Sequence, residues 1–310
     1  MRIFGPVPSR RLGRSLGINN VRPKTCSYAC IYCQLGRTDY LQLKREEFYK
    51  TSEVVKEIEE ELDILAEKGE KIDYLTFVAD GEPTLDKNLG KTINAIKKFG
   101  VKTAVISNAS LISDKQVREE LKNADWVSLK CDAINEETWR KINRPHGRLD
   151  LEKIQQGIKR FSEEYENELV TETMLVEGVN DNEEDLEKNA DFIVQLNASK
   201  SYISVPTRPP AEDYVKIPPP QKINMAVQIY KDRNIKTEYL IGYEGNKFSS
   251  TGDIKKDMLN ITAVHPLKEE AVKELLKKCN ADWSQIEELI ENDQIVEAEY
   301  NEAKYYLRNK

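Results

Sequence analysis

The sequence predicts an α/β protein, a partial (β/α)6 barrel followed by a small C-terminal domain. Through roughly the first 240 residues, near-continuous apolar strands alternate with amphipathic helices, a pattern typical of a parallel sheet covered by helices. This pattern gives six strand–helix units, which are too few for a closed eight-unit barrel. Residues 254–310 instead predict helices followed by a hairpin, so we expect a separate domain there.

The first strand is predicted at residues 15–21, directly before a group of cysteines. Residues 5–11 are too rich in Gly and Pro for a regular element. After the cysteines, apolar residues at helical spacing predict a helix within 46–68, with Thr51 or Ser52 as its N-cap and Gly69 as its stop.

The other elements of the barrel follow in alternation. Further strands are predicted at 72–79, 102–107, 126–131, 168–176 and 201–205, with an edge strand at 236–241. Helices are predicted at 88–98, 114–123, 136–143, 151–165, 183–196 and 222–232. We therefore assign residues 1–242 to the barrel and its basic N-terminal arm, and the Gly- and Ser-containing residues 243–253 to a linker.

The C-terminal residues 254–310 predict helices at 254–259, 268–278 and 284–292, then a hairpin of 295–300 and 305–308. Helices followed by a two-stranded ribbon resemble a winged-helix domain. Such domains often bind nucleic acid, but the third helix carries Glu287, Glu288 and Glu291, which argues against a DNA-reading surface. A protein contact or a cap over the substrate fits at least as well.

Three cysteines with the spacing C-x3-C-x2-C lie within eight residues, at Cys26, Cys30 and Cys33. Thiolates are strong, soft ligands for iron and zinc, and so short a loop brings the three together. A closed structural site uses four protein ligands, whereas three leave one position for a group that is not protein. The residues alone also allow a zinc loop, a ferredoxin-like cluster with a distant fourth ligand, or a redox-active dithiol. Cys131 and Cys279 are predicted to be buried core residues.

This cysteine motif, with Tyr32 before its last cysteine, resembles the signature of the radical S-adenosylmethionine (SAM) enzymes. The resemblance implies a TIM-like open barrel and a 4Fe-4S cluster held by Cys26, Cys30 and Cys33. It also implies that the amino and carboxylate groups of SAM bind the fourth iron. Beside the cluster we expect Tyr32 to contribute to the SAM site.

The resemblance extends over residues 14–242. Gly81 and Glu82, after the second strand, are similar to the family's Gly-Glu element that receives the SAM amino group. Ser107 and Asn108 end the third strand where the family often carries Thr-Asn-Gly, although Ala109 here replaces the glycine.

Lys130 and Asp132 share one face of the fourth strand because side chains alternate along a strand. Charged groups that face a barrel lumen need a partner or a ligand. The two residues are therefore candidates for contacts with the SAM ribose and carboxylate, or alternatively members of a buried ion pair. Residues 177–181 are similar to the family segment that flanks the adenine.

The charge is unevenly distributed. The chain has a net charge of −7, yet residues 1–38 contain seven Lys and Arg and no acid. This basic segment predicts either a site for an anion or an arm that neutralises nearby acids. Arg10, Arg11 and Arg14, together with Arg208 after the sixth strand, are the candidate substrate contacts at the barrel mouth.

The resemblance implies an enzyme that cleaves SAM reductively to a 5′-deoxyadenosyl radical and abstracts hydrogen from a substrate. An external one-electron donor of the flavodoxin or ferredoxin type would supply the electron. The layout is most similar to relatives of the tRNA wyosine-base synthases, and with the basic segment this favours RNA as substrate. The alternatives are a radical activase or modifier of a protein or peptide, an enzyme for a small carboxylate, and a non-enzymatic iron–sulfur carrier or zinc-binding adaptor.

The sequence contains no apolar run long enough to span a bilayer and no signal-peptide pattern at its start. Five cysteines, three of them clustered, do not indicate a disulfide framework. We expect a cytoplasmic protein with no membrane partner.

Overall fold

The computed structural model describes residues 2–240, 248, 252–262 and 265–309. The strands in these ranges are β1 (Ile3–Ser9), β2 (Gly13–Ile18), β3 (Thr25–Cys26), β4 (Tyr40–Leu41), β5 (Tyr74–Phe77), β6 (Lys102–Ser107), β7 (Trp126–Lys130), β8 (Glu168–Met174), β9 (Lys200–Ser204), β10 (Thr237–Leu240), β11 (Leu267–Lys268), β12 (Ile295–Tyr300) and β13 (Ala303–Arg308). The α-helices are α1 (Thr51–Glu67), α2 (Leu89–Ile96), α3 (Lys115–Leu121), α4 (Glu136–Asn143), α5 (Leu151–Glu164), α6 (Glu183–Ile193), α7 (Pro220–Asp232), α8 (Ile254–Ile261), α9 (Glu269–Cys279) and α10 (Ser284–Glu291).

One large sheet organises the described part of the chain. It has eight strands in the order β1-β2-β5-β6-β7-β8-β9-β10. From β2 to β10 every neighbouring pair is parallel. The Arg10 guanidinium, just after β1, donates to the Leu240 carbonyl at the opposite edge (3.0 Å), so the sheet is curled. The predicted α/β partial barrel is confirmed, and the predicted edge strand is β10.

The prediction that residues 5–11 form no regular element was wrong. Ile3–Ser9 is strand β1, which pairs antiparallel with β2 and has an irregular register between Phe4 and Val7. Proline is tolerated on an edge strand because one side of that strand needs no ladder hydrogen bonds. A composition rich in Gly and Pro therefore excluded a central strand here but not an edge strand.

The turn between β1 and β2 fills part of the barrel lumen. Leu12, at this turn, is buried against Trp126 and Tyr202 and against Leu240 of the far edge strand. Trp126 is the first residue of β7 and Leu240 is the last residue of β10, so this apolar layer extends from the amino-terminal end of one strand to the carboxyl end of the other. The cavity beside this layer is lined by charged side chains such as Lys130 and Glu172 and by apolar ones such as Val78 and Ile106.

The outer face of the sheet packs against the helices. Strand residues such as Leu16, Val127 and Leu129 are fully buried there in one large apolar core. Helix α1 contributes Val54, Ile58 and Leu65, which share one helix face. Burying a side chain of this size contributes about 1.5–3 kcal/mol, and this core therefore holds the strand ends in fixed positions around the lumen.

The C-terminal residues have a core of their own. Buried side chains of α8, α9 and α10 pack around Tyr306 of β13, and the described strands form a sheet in the order β11-β13-β12. The three predicted helices and the hairpin are present, and β11 is an additional strand. The winged-helix assignment stays a prediction, and most of the predicted linker 243–253 lies outside the described residues. None of the helices in the described ranges is long and apolar enough to cross a membrane.

Candidate active site

The cysteine loop is fixed to the carboxyl end of the barrel by backbone contacts. Its first two residues, Thr25 and Cys26, form β3 and pair in parallel with β4. The Glu82 N–H, after β5, donates to the Thr25 carbonyl (3.1 Å). A Cβ atom on Gly81 would lie 1.9 Å from that carbonyl oxygen. Only glycine therefore permits this close approach, and Gly81 thus docks the cysteine loop onto the barrel.

The three cysteine residues are partly exposed, and the sulfurs of Cys26 and Cys30 receive hydrogen bonds. The Asn108 side-chain amide donates to the Cys26 sulfur, and the Asn143 amide donates to the Cys30 sulfur, each at 3.5 Å. Among the described residues, no three or more His, Cys, Asp and Glu side chains are already arranged to hold a metal ion.

The electrostatics of the thiols fit a cluster better than a redox dithiol. Burial, with the nearby Glu82 carboxylate, raises the pKa of the Cys26 thiol well above its usual range. Burial and Asp132 raise the pKa of Cys30 to about 12. Reactive thiols have lowered pKa values, whereas a bound metal deprotonates a coordinating thiol outright. The donor set thus fits an iron–sulfur cluster, which takes thiolate ligands.

Glu82 lies at the centre of a hydrogen-bond network. Its carboxylate accepts from the Thr84 N–H (3.0 Å) and hydroxyl (2.7 Å), the Ser107 hydroxyl (2.7 Å) and the Asn108 N–H (2.7 Å). Burial raises the pKa of Glu82, although these four donors act against the rise. The structure thus brings together four predicted site residues, Gly81, Glu82, Ser107 and Asn108. Hydrogen bonds to the Glu82 carboxylate thereby link the carboxyl ends of β5 and β6.

Asp132 and Tyr32 are joined directly beside the cysteine loop. The Tyr32 hydroxyl donates to the Asp132 carboxylate, which also accepts from the Asn143 amide (2.8 Å) and the Met174 N–H (2.8 Å). Both residues were predicted from the sequence, but Asn143 was not. Asn143 lies at the end of α4 and therefore links that helix to both the loop and the barrel.

Lys130 faces the lumen, as predicted, and its ionic partner is Glu172. The Lys130 ammonium lies 2.7 Å from the Glu172 carboxylate, which also pairs with the Arg11 guanidinium. The ammonium is also 5.3 Å from the Tyr32 ring centre. The two cations lower the pKa of Glu172 to about 2, against the effect of burial. Glu172 was missed, although it is an acidic residue between Val170 and Met174 on the lumen face of β8.

A cavity of about 240 Å³ opens among these groups. Cys33 and Tyr32 of the cysteine loop line one side of the cavity, and Lys130 and Glu172 line another. Ile106 and Val78 provide apolar wall at the strand ends. The cavity lies at the carboxyl ends of parallel strands, which is where barrel enzymes carry their chemistry.

Arg208 joins the cavity wall from the loop after β9. Its guanidinium donates to the Gln34 side chain in the cysteine loop and to His265 Nε2 (3.3 Å). Burial and Arg208 lower the pKa of His265 well below its usual range, so the imidazole is neutral and accepts this hydrogen bond. Tyr300 and Tyr305 donate to the carbonyls of Pro206 and Thr207 (both 2.8 Å). The C-terminal unit therefore positions the loop that carries Arg208.

Two of the three N-terminal arginine candidates line the cavity, and the third does not. Arg10 and Arg11 line the cavity from the hairpin turn, and Arg11 is only 15% exposed in its pair with Glu172. Arg14 instead lies at the start of β2 and pairs with Glu70. The expectation that all three line the mouth is therefore corrected, because the turn carries Arg10 and Arg11 inward and the strand direction places Arg14 at the other end.

Comparison with known proteins supports the family resemblance. Residues 21–193 match the model of the Radical SAM superfamily. The UPF0026 protein MJ1312 of Methanocaldococcus jannaschii is 44% identical over 309 residues, covering 99% of this chain and 95% of that protein.

A solved structure supports the fold. A radical SAM methyltransferase from Sphaerobacter thermophilus has 17% identity and a TM-score of 0.56, covering 73% of this chain and 66% of its own. A structure of TYW1 with a lysine-pyruvate adduct bound covers 96% of this chain and 80% of its own, with 17% identity and a TM-score of 0.46. That value is too low to support an argument about function. The chain belongs to the Radical SAM superfamily, whose members are enzymes that use a 4Fe-4S cluster and SAM and need an external reductant.

Proposed function

We propose that Cys26, Cys30 and Cys33 hold the 4Fe-4S cluster and that the cavity beside Cys33 is where SAM and substrate meet. The observation that carries this proposal is that one cavity is lined both by the cysteine loop and by the cations Lys130 and Arg208. Together with membership of the Radical SAM superfamily, this shared lining favours an enzyme over an iron–sulfur carrier or a zinc-binding adaptor.

The SAM site is proposed along the carboxyl ends of β5, β6 and β7. Its wall consists of residues 81–82 and 107–108, together with Tyr32, Lys130 and Asp132. Because the Glu82 carboxylate already accepts four hydrogen bonds, we assign it mainly to shaping this wall. Backbone carbonyls nearby suit the SAM ammonium, which is a strong donor.

Held by Cys26, Cys30 and Cys33, the cluster would supply the electron for reductive cleavage of SAM to methionine and a 5′-deoxyadenosyl radical. The protein supplies position and shielding. Val78 and Ile106 cover part of the cavity with apolar surface, which excludes water and other quenchers. Lys130 and Arg11 share the single carboxylate of Glu172, so this group of three carries a net positive charge toward the cavity.

The placement of the arginines favours a carboxylate-bearing small molecule or peptide over RNA as substrate. RNA binding needs an exposed basic patch that meets phosphates. Arg11 is buried in an ion pair, and Arg14 pairs with Glu70 at the far end of the barrel. Arg208, by contrast, is held at the cavity by Gln34 and His265, and a rigidly held guanidinium suits a carboxylate.

The test is 5′-deoxyadenosine formation by protein reconstituted anaerobically with iron and sulfide, reduced with dithionite and supplied with SAM. Separate small-molecule, peptide and RNA fractions of cells would be added. We expect the small-molecule or peptide fraction to raise the yield, and Arg208→Gln to abolish the increase while the basal yield remains. Arg140→Gln, on the exposed face of α4, is the matched control. Stimulation by RNA alone would contradict the substrate assignment, and no product under any condition would contradict the whole proposal.

A further inference from the structure

A second cavity, of about 390 Å³, lies between the cysteine loop, the end of α4 and the loop after β9. The residues that line it are Ala29, Arg37, Thr38, Arg144, Ala211 and Glu212. We name this cavity the Glu212 pocket. Among the described residues, it shares no lining residue with the cavity proposed for SAM and substrate, so the two are separate sites.

Two guanidinium groups meet at one carboxylate in the Glu212 pocket. Arg144 donates to Glu212 Oε1 at 2.6 Å, and Arg37 donates to Glu212 Oε2 at 3.3 Å. Hydrogen bonds from Arg144 and then Arg37 lower the pKa of Glu212, against the effect of burial, so this carboxylate is ionised at neutral pH. The other lining residues are two alanines and a threonine. The lining therefore carries a net charge of +1.

The two arginines of the pocket are accessible, whereas the acid between them is largely covered. The side chains of Arg37 and Arg144 are 78% and 43% exposed, and that of Glu212 is 12% exposed. A guanidinium has five N–H donors. Arg37 uses one for Glu212, and Arg144 donates to Glu212 and to the Tyr214 hydroxyl (3.0 Å). Further N–H groups of both arginines can therefore donate to a ligand.

Arg144 is held in place before any ligand arrives. It is the C-cap of α4 and has left-handed backbone angles (φ 43°, ψ 61°), a conformation more usual for glycine or asparagine at a helix end. Its carbonyl accepts the Ala29 N–H (3.1 Å), and its side chain is fixed by Glu212 and Tyr214. A group that is already ordered loses less conformational entropy when it binds a ligand.

A phosphate group fits this pair of arginines better than a carboxylate does. A phosphate monoester has three terminal acceptor oxygens and can bridge two guanidiniums. The two oxygens of a carboxylate are already matched by the fork of one guanidinium. The volume of the pocket also lies within the range of about 300–1,000 Å³ that is usual for small-molecule sites.

We propose that the Glu212 pocket binds phosphate, either as the free ion or as a small phosphate monoester, through Arg37 and Arg144. The pocket is joined to the cysteine loop, because the Glu212 N–H donates to the Ile31 carbonyl (3.1 Å) and Ala29 donates to Arg144. A bound phosphate therefore holds the cysteine loop, α4 and the loop after β9 together. This proposal does not depend on the radical chemistry.

The experiment is a calorimetric titration of inorganic phosphate into the full-length, reconstituted protein at constant ionic strength and without SAM. We expect Arg37→Gln and Arg144→Gln each to weaken binding about tenfold or more, because each removes a charge-assisted hydrogen bond. The matched control is Arg140→Gln, on the exposed face of α4, whose affinity should stay within about twofold of wild type. No phosphate binding to wild type, or equal affinities in Arg37→Gln and Arg140→Gln, would overturn the proposal.

Glu212→Gln separates a phosphate site from a purely structural ion pair. Glutamine keeps an acceptor for Arg144 but removes the negative charge that competes with phosphate for both guanidiniums. We expect this variant to bind phosphate severalfold more tightly than wild type. A purely structural pair predicts instead a lower melting temperature without any gain in affinity, and that result would contradict the proposal.

A second titration, with adenosine monophosphate, identifies the source of the phosphate. The Tyr214 ring is 57% exposed beside Arg144 and offers a surface on which a base can stack. Tighter binding of adenosine monophosphate than of inorganic phosphate, lost in Tyr214→Ala, would identify an aromatic phosphate ester. Equal affinities would identify the free ion. If wild type binds neither ligand but binds total tRNA, and Arg37→Gln loses that affinity, the pocket is an RNA contact and the proposal is wrong.

Discussion

Asn108 and Asn143 place amide N–H groups against the sulfurs of Cys26 and Cys30. Hydrogen bonds to cluster sulfurs favour the reduced, more negative state and therefore raise the reduction potential. Neither contact is evident from the sequence, because Asn143 belongs to a helix more than a hundred residues after the loop. The role predicted for Asn108 concerned SAM alone, and no role was predicted for Asn143.

We predict that Asn108→Ala lowers the midpoint potential of the reconstituted cluster by roughly 40 mV, which is the one-electron equivalent of a hydrogen bond worth about 1 kcal/mol. The measurement is a redox titration followed by electron paramagnetic resonance (EPR). Asn167→Ala removes an amide that donates to the Ala124 carbonyl instead and should leave the potential unchanged. An unchanged potential in Asn108→Ala would show that the amide does not reach the bound cluster.

Glu172 gives the protein a predictable dependence on acid. Its folded pKa of about 2 lies below the ordinary 4.5, so its contribution to stability is complete above pH 4.5 and is lost as the pH falls toward 2. The difference corresponds to about 3 kcal/mol. Urea unfolding at several pH values should show a shallower loss of stability below pH 4.5 in Glu172→Gln than in wild type. The exposed Glu163→Gln should retain the wild-type slope, and equal slopes in all three proteins would contradict the assignment.

The strands and the metal ligands of the site were predictable from local sequence pattern, whereas the residues that contact them were not. Apolar runs and helical spacing predicted the barrel strands, and cysteine spacing predicted the metal ligands. The ion pair of Lys130 with Glu172 joins strands 42 residues apart, and a local pattern does not show which acid a lysine will meet. The strands β3 and β4 were missed because two residues each are too short to produce a periodic signal.

The close contact between Gly81 and the Thr25 carbonyl joins the turn after β5 to strand β3. We predict that Gly81→Ala displaces the cysteine loop. The added methyl carbon would lie 1.9 Å from the Thr25 carbonyl oxygen, and a backbone atom cannot move aside as the end of a flexible side chain can. The cost is about 1–3 kcal/mol or more. Iron content after reconstitution should fall well below that of wild type, together with a lower melting temperature. Gly147→Ala is the control because a Cβ there meets no atom within 4 Å; equal iron content in the two variants would exclude the docking role.

At the scale of the whole molecule, the basic N-terminal segment neutralises acids of the barrel. Arg2 pairs with Glu53 and Glu57, and Arg14 pairs with Glu70. The composition alone did not show whether this basic segment binds an anion or neutralises nearby acids through ion pairs. The distribution of pairs favours a structural role for these arginines.

The proposed iron–sulfur cluster is held by Cys26, Cys30 and Cys33 and has one iron open to SAM. The most direct measurement is the EPR spectrum of the dithionite-reduced, reconstituted protein before and after SAM is added. We predict a 4Fe-4S signal whose shape changes with SAM in wild type and in Cys131→Ala, and no such signal in Cys33→Ala. A signal that SAM leaves unchanged, or anaerobic preparations that contain zinc and no iron, would contradict the account.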